Sequence, residues 1–211
     1  MSAPRVVAID GAAGSGKSTL ARLLARTLEL PYVNTGVMYR ALTRAALDLD
    51  VDLDDEDALA ELTRALRVRL TQGPHPELEV EGFRPEDLHT DEVDAAVSRA
   101  SRHPKVRELM RRAQRALGGD GAVMEGRDIG TVVYPDAPVK LFLFANPIER
   151  VARRSEERRG ENVAEELHAR DERDARVNPL EPAPDAVTID TTGATPEATL
   201  EAALQIVRSR L

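Results

Sequence analysis

Five short apolar runs punctuate the chain: Val6–Asp10, Tyr32–Asn34, Ala122–Glu125, Val139–Ala145 and Ala186–Asp190. Each has the length of a strand, and helical patterns lie between them. That order predicts an α/β fold with a parallel sheet covered on both faces. The first helix follows the first run, because Leu20, Leu23, Leu24 and Leu28 fall on one face. The last is equally clear: Leu200, Leu204, Val207 and Leu211 share a stripe, and Thr195-Pro196-Glu197 supplies a start signal.

Two regions exceed a minimal sheet of this kind. Between about Asp50 and Arg102 a helix is expected over Glu56 to Leu66. Val68-Arg-Leu70 and Leu78-Glu-Val80 then flank Gly73-Pro74, which predicts a small hairpin. The second region, about Arg150 to Arg176, is dense in charge of both signs. Gly118-Gly-Asp-Gly121 reads as a turn before the third strand, and the three prolines of Asn178–Asp185 as a loop before the fifth.

The turn after the first strand carries the chemistry. Residues 11–18 read Gly-Ala-Ala-Gly-Ser-Gly-Lys-Ser and fit G-x-x-x-x-G-K-[ST] at every fixed position. A strand before it and a helix after it are the context in which this motif binds phosphate. Gly11, Gly14 and Gly16 let the backbone curl its N–H groups onto a polyphosphate, helped by the positive end of the following helix. Lys17 would reach the β- and γ-phosphates and the Ser18 hydroxyl would ligate Mg²⁺. Only three of the 29 basic residues are lysines, so a lysine here is a pointed choice of a compact charge over a planar fork.

Composition narrows the partners. The 211 residues are 42% hydrophobic and 31% charged, enough for one α/β domain with a buried core. No cysteine is present, which excludes disulfides, thiolate metal sites and cysteine nucleophiles. A net charge of −8 and an aromatic content of 3%, with no tryptophan, argue against a nucleic-acid partner. No apolar run reaches membrane-spanning length and the N-terminus reads as a strand rather than a leader, so no membrane is expected and the expected location is cytoplasmic. His75, His89, His103 and His168 show no ligand spacing and read as surface residues.

Three further blocks bear on the reaction: Asn34-Thr-Gly-Val-Met-Tyr-Arg40, Glu125-Gly-Arg-Asp-Ile-Gly-Thr-Val-Val-Tyr-Pro-Asp136 and Arg170-Asp-Glu-Arg-Asp-Ala-Arg176. With the phosphate loop, they closely resemble the bacterial cytidylate kinases, a family of nucleoside monophosphate kinases. The resemblance covers essentially the whole chain. It implies a P-loop NTPase-type three-layer fold with a five-stranded sheet of order 2-3-1-4-5. One domain over 1–211 is then divided into a core (about 1–35, 103–149 and 177–211), a monophosphate-binding insertion (about 36–102) and a lid (about 150–176).

The implied reaction is ATP-dependent phosphorylation of CMP and dCMP with Mg²⁺, by a monomer acting on small nucleotides. By this resemblance ATP is bound by Gly11, Ala12, Ala13, Gly14, Ser15, Gly16, Lys17, Ser18, Thr19, Arg150 and Arg154. The CMP set is Thr35, Tyr39, Arg40, Ser98, Arg107, Arg127, Asp128, Arg170, Arg173, Asp174 and Arg176, with Ser98, Arg107 and Asp128 reading cytosine. Lys17, Arg127 and Arg170 are the catalytic candidates. Physical reasoning independently suits Arg40, expected to begin the helix after the second strand, and Arg127, which follows the third, to bidentate capture of an acceptor phosphate. Arg153 is as available as Arg150 and Arg154, whereas Arg158, Arg159, Glu165 and Glu166 fit a solvated, salt-bridged face. Glu125 stands where relatives often carry Asp, which leaves its part in placing Mg²⁺ open. The phosphate loop by itself also permits a thymidylate or adenylate kinase, or a nucleotide-hydrolysing switch. Against a switch, no Asn-Lys-x-Asp motif is present.

Overall fold

A computed structural model describes residues 5–158, 164–165, 167–169, 172 and 180–211, without the side chains of 157 and 158. β1 (Arg5–Gly11) is buried from Val6 onward and lies between β5 (Gly121–Gly126) and β6 (Val139–Phe144). β2 (Tyr32–Asn34) and β7 (Val187–Asp190) flank them, giving the order β2-β5-β1-β6-β7 with all pairs parallel. Counting only the strands of this sheet, the order is 2-3-1-4-5, as expected from the sequence. The apolar runs are near-continuous because both faces are covered.

On one face Val7, Ile9, Val123 and Leu141 pack against Leu20 and Leu24 of α1 (Lys17–Leu28) and against Ala203 and Val207 of the final helix, α8 (Pro196–Arg210). The expected start of α8 is present: Thr195 Oγ1 accepts from Ala198 N at 3.2 Å, and Pro196 follows. On the other face Val6, Ala8 and Met124 meet Ile129 and Val133 of a π-helical turn, Ile129–Val133.

The insertion begins with α2 (Thr35–Asp48), which starts directly after β2, so Arg40 sits in its second turn rather than at its start. α3 (Glu56–Ala65), the antiparallel hairpin β3 (Val68–Leu70) and β4 (Leu78–Val80), the short α4 (Pro85–Leu88) and α5 (Asp91–Ala100) follow. Met38, Leu42, Leu59, Val106 and Met110 form a second core that fixes the insertion on α6 (Pro104–Gly118). The hairpin is also tied to the main sheet: Tyr32 N donates to Pro76 O at 2.8 Å, and Tyr32 bridges Glu77 in parallel. α7 (Pro147–Arg158) follows β6. No helix among the described residues is long and apolar enough to cross a membrane.

Candidate active site

The carboxyl ends of β1, β2 and β5 open onto one cleft of about 240 Å³, the place where open α/β sheets hold ligands. The loop after β1 curls because Gly14 and Gly16 adopt φ of 74° and 88°. At Gly14 a Cβ would also lie 2.9 Å from Arg150 O, so both conformation and space require glycine there. Ala13, Gly14, Gly16, Lys17, Ser18 and Thr19 line the cleft. Gly11, Ala12 and Ser15 lie in the loop but do not line it. Lys17 Nζ donates to Ala12 O at 2.7 Å, folding the lysine over its own loop.

α7 distributes its three arginines differently. Arg154 lines the cleft. Arg150 does not, and donates instead to Ala13 O at 3.2 Å, bracing the phosphate loop from outside. Arg153 is tied to Thr191, with Nη2 2.6 Å from its carbonyl. Tertiary hydrogen bonds that helical spacing does not encode thus set the three apart, and Arg154 is the one that lines the cleft.

The side of the cleft facing the phosphate loop is built from the start of α2 and the segment after β5. Thr35 Oγ1 donates to Glu125 O at 2.8 Å, which docks α2 on the end of β5. Gly126 allows this approach: a Cβ there would lie 2.6 Å from Thr35 Oγ1. Thr35, Tyr39, Arg40, Arg127 and Asp128 all line the cleft. Burial pushes the Tyr39 hydroxyl up to about 12, so it remains a neutral donor beside Gln114. Arg40 is buried, with Nη1 donating to Leu88 O at 2.9 Å and Nη2 to Asp94.

Arg107 of α6 reaches Asp128 with Nη2 to Oδ2 at 2.5 Å. Burial raises the Asp128 carboxyl and Arg107 opposes that rise. Asp128 O accepts from Val132 N and Val133 N, so its position is held by backbone. The amides of Ile129 and Gly130 donate to the buried Asp10 carboxylate at 2.8 and 2.7 Å. Asp10 therefore joins the end of β1 to the segment carrying Arg127 and Asp128. Burial raises its carboxyl to about 6.

Glu125 is buried and lines the same cleft, and Tyr32 Oη donates to its Oε1 at 2.5 Å. Burial and the adjacent carboxylate push the Tyr32 hydroxyl far above its ordinary value. Hard oxygen donors at Ser18 and Glu125 thus face one space above the phosphate loop, a donor set that fits Mg²⁺ carried by a polyphosphate. Among the described residues no cluster of three or more His, Asp or Glu side chains forms a metal site by itself.

Ser98 is buried within α5 and does not line the cleft, whereas Ser101, one turn on, does. Arg170, Arg173, Asp174 and Arg176 lie outside the described residues, as do Arg159, Glu166 and the side chain of Arg158; Glu165 is exposed. His75, His89 and His168 are exposed. His103 is not a surface residue: it is buried, with Nε2 2.8 Å from Leu53 O, a partner distant in sequence and invisible to spacing. Val97 and Ser101 line the cleft without having been singled out by sequence, and His89, read only as a surface residue, lines it while exposed. The signal available for α5 was a stripe at 94, 97, 98 and 101, the spacing of one helix face.

Residues 7–209 match the family model "Cytidylate kinase". The chain is 46% identical to the cytidylate kinase of Geobacillus kaustophilus, with 97% of each chain covered. It is 43% identical to that of Bacillus subtilis, covering 97% of this chain and 96% of the relative. For the cytidylate kinase of Mycobacterium avium the identity is 42%, over 100% of this chain and 98% of the other. Among solved structures, TT1252 from Thermus thermophilus matches with a TM-score of 0.53 and 22% identity, covering 100% and 99% of the two chains, a likeness of fold.

Proposed function

The chain belongs to the cytidylate kinase family, and from that premise we propose that it transfers the γ-phosphoryl group of ATP to CMP and dCMP, yielding ADP and the diphosphates. The observation that carries this reading is one cleft holding two sets of groups. The phosphate loop with Lys17 lies on one side, and Arg40, Arg127 and the Arg107–Asp128 pair lie on the other. A hydrolase needs only the first set. A phosphate-monoester acceptor needs the second, because its charge must be held against that of the triphosphate.

In this reading Arg40 and Arg127 take the acceptor phosphate and Arg107 with Asp128 takes the cytosine edge. An oxygen of the acceptor phosphate attacks the γ-phosphorus in line, the bond to the β-bridging oxygen breaks, and ADP leaves. No dedicated base is required, since a phosphate monoester with a second pKa of about 6 is largely ionised at neutral pH. Lys17 turns from Ala12 O to the transferring group, where its charge stabilises the transition state. Arg154 approaches the donor phosphates from α7, while Arg150 keeps the loop in shape. Ser18 and Glu125 would hold Mg²⁺, which when bound offsets charge on the β- and γ-phosphates. Arg170, Arg173, Asp174 and Arg176 complete the proposed set as lid contacts to ribose and phosphates. We take the enzyme to act as a cytoplasmic monomer.

An ADP-release assay with CMP, dCMP, UMP, AMP and dTMP as acceptors tests the proposal. ADP formation should require an acceptor and be fastest with the cytidine monophosphates. Release at the same rate without acceptor would mark a hydrolase and overturn it; preference for dTMP or AMP would overturn the substrate.

A further inference from the structure

The kinase reading assigns roles to Arg40 and Arg154, and a residue outside that reading touches both. Asp94, in the first turn of α5, places Oδ1 on Arg40 Nη2 and Oδ2 3.4 Å from Arg154 Nη2. The three side chains are only 12%, 7% and 19% exposed, so water competes weakly for these contacts. Arg40 rises from α2 on the acceptor side, and Arg154 from α7 beside the phosphate loop. Both line the cleft while bound to Asp94.

Local structure explains how a carboxylate comes to stand there. Thr90 caps α5 by accepting from Val93 N at 3.3 Å, and an acid in the first turn is favoured by the helix dipole. α5 runs along α2, and one turn beyond Arg40 the contact continues as Arg44 Nη1 to Glu92 Oε2 at 3.1 Å. With Leu88 O on Nη1 and Asp94 on Nη2, the planar guanidinium of Arg40 is fixed in orientation while still facing the cleft.

We propose that Asp94 is a positioning residue for phosphoryl transfer, holding the acceptor-side Arg40 and the donor-side Arg154 at one spacing through the two oxygens of a single carboxylate. A guanidinium carries five N–H donors, so a contact with one carboxylate does not preclude another with a phosphate. What the carboxylate supplies is preorganisation: two cations from separate elements are aligned before two like-charged substrates are pressed together. This role rests on the kinase reading above, and it extends that reading to a residue with no direct substrate contact.

The chemistry of the side chain sets the test. Asp offers an oxygen to each arginine. Asn offers one oxygen and an amino group that cannot accept, Ala offers neither, and Glu keeps both on a longer arm. In the full-length protein, kcat/KM for CMP at saturating MgATP should fall about 10-fold in Asp94→Asn and about 50-fold in Asp94→Ala. Asp94→Glu should recover activity above Asp94→Asn. A role in packing alone would reverse that order, because Asn is the isostere. Calorimetric titration with CMP alone, which needs no turnover, should show weaker binding in the Asn and Ala variants. Combining Asp94→Ala with Arg154→Ala should cost less than the product of the single losses, by about fivefold or more, because the two share one contact.

Wild-type kinetics in Asp94→Asn, multiplicative losses in the double variant, or Asn outperforming Glu would each overturn the proposal. Tighter CMP binding in both Asn and Ala variants would do so as well, since it would make Asp94 merely a repelling charge. A wild-type protein without acceptor-dependent ADP formation would instead overturn the kinase reading, and the calorimetric comparison would still judge Asp94.

Discussion

Replacing Asp128 with alanine should erode the choice of base rather than the fold. Cytosine presents an amino donor at N4 and an acceptor at N3, whereas uracil reverses both. In the cleft Asp128 Oδ2 is occupied by Arg107 at 2.5 Å, and the proposed reading gives its other oxygen to the amino group. Uracil would set a carbonyl against that carboxylate. Sites built on such hydrogen bonds discriminate by up to ~10⁴, but Arg107 and Asp128 are 26% and 16% exposed, so water relieves part of the mismatch. We therefore expect CMP to be preferred over UMP by about 100-fold or more in kcat/KM. Of the bonds the substitution deletes, the charge-assisted one to the nucleotide is worth about 1.5–3 kcal/mol, or roughly 10- to 150-fold in CMP turnover. UMP turnover should change by less than about threefold, since no favourable contact to that base is lost. The fold should survive, because the backbone carbonyl of Asp128 makes the bonds to Val132 and Val133. Steady-state kinetics with both nucleotides, alongside a melting curve, decide the matter. A variant that melts normally and keeps the wild-type CMP/UMP ratio would refute this assignment of the base reader.

Other parts of the site give separate expectations. Lys17→Ala should lower kcat by about 10²–10³ while calorimetry finds CMP affinity within about threefold, because the charge acts on the transferring group; an unchanged kcat refutes it. Gly14→Ala forces a side chain onto φ 74° and against Arg150 O, so denaturant unfolding should register a loss of about 1–3 kcal/mol and KM for ATP should rise about 10-fold or more. Unaltered affinity for ATP would mean the loop tolerates the change. The Asp10 carboxyl is raised from 3.8 to about 6, so between those values the folded state binds the proton more tightly than the unfolded one. Its contribution to stability is fully present below about pH 4 and is lost as pH rises through 6, by about 3 kcal/mol in all. The stability of wild type minus that of Asp10→Asn should accordingly fall across pH 4 to 6.5; a flat difference would show the carboxyl ionised throughout.

The strands were legible because burial on both faces demands runs of apolar side chains, and the phosphate loop because its curvature demands glycine. The hairpin at Val68–Leu70 and Leu78–Val80 was equally readable, since short apolar runs flank a Gly-Pro turn. What escaped is of another kind. Asp94 meets Arg40 from 54 positions away and Arg154 from 60, and no local pattern encodes a contact between helices so far apart. The same holds for Asp10, whose carboxylate folds Ile129 and Gly130 toward β1, and for the buried ring of His103. Helical spacing alone could not rank Arg150, Arg153 and Arg154, because their partners come from the phosphate loop and from Thr191. Residue types announced the chemistry; tertiary partners divided the labour.

The tie between the hairpin and β2 bears on how the protein behaves in a crowded solution. β2 is the outermost strand on its side of the sheet, and a bare outer strand offers free backbone groups to any passing chain. Here the outward amide of Tyr32 is taken by Pro76 O, and Glu77 lies alongside, with Arg22 3.6 Å from its carboxylate. A proline and a charged pair make poor templates for further pairing. The opposite margin, β7, is four residues long and ends on the exposed Asp190. The insertion that lines one side of the cleft therefore also seals one margin of the sheet. Trimming the hairpin to simplify the protein would open β2 to strand exchange between copies, and aggregation should follow.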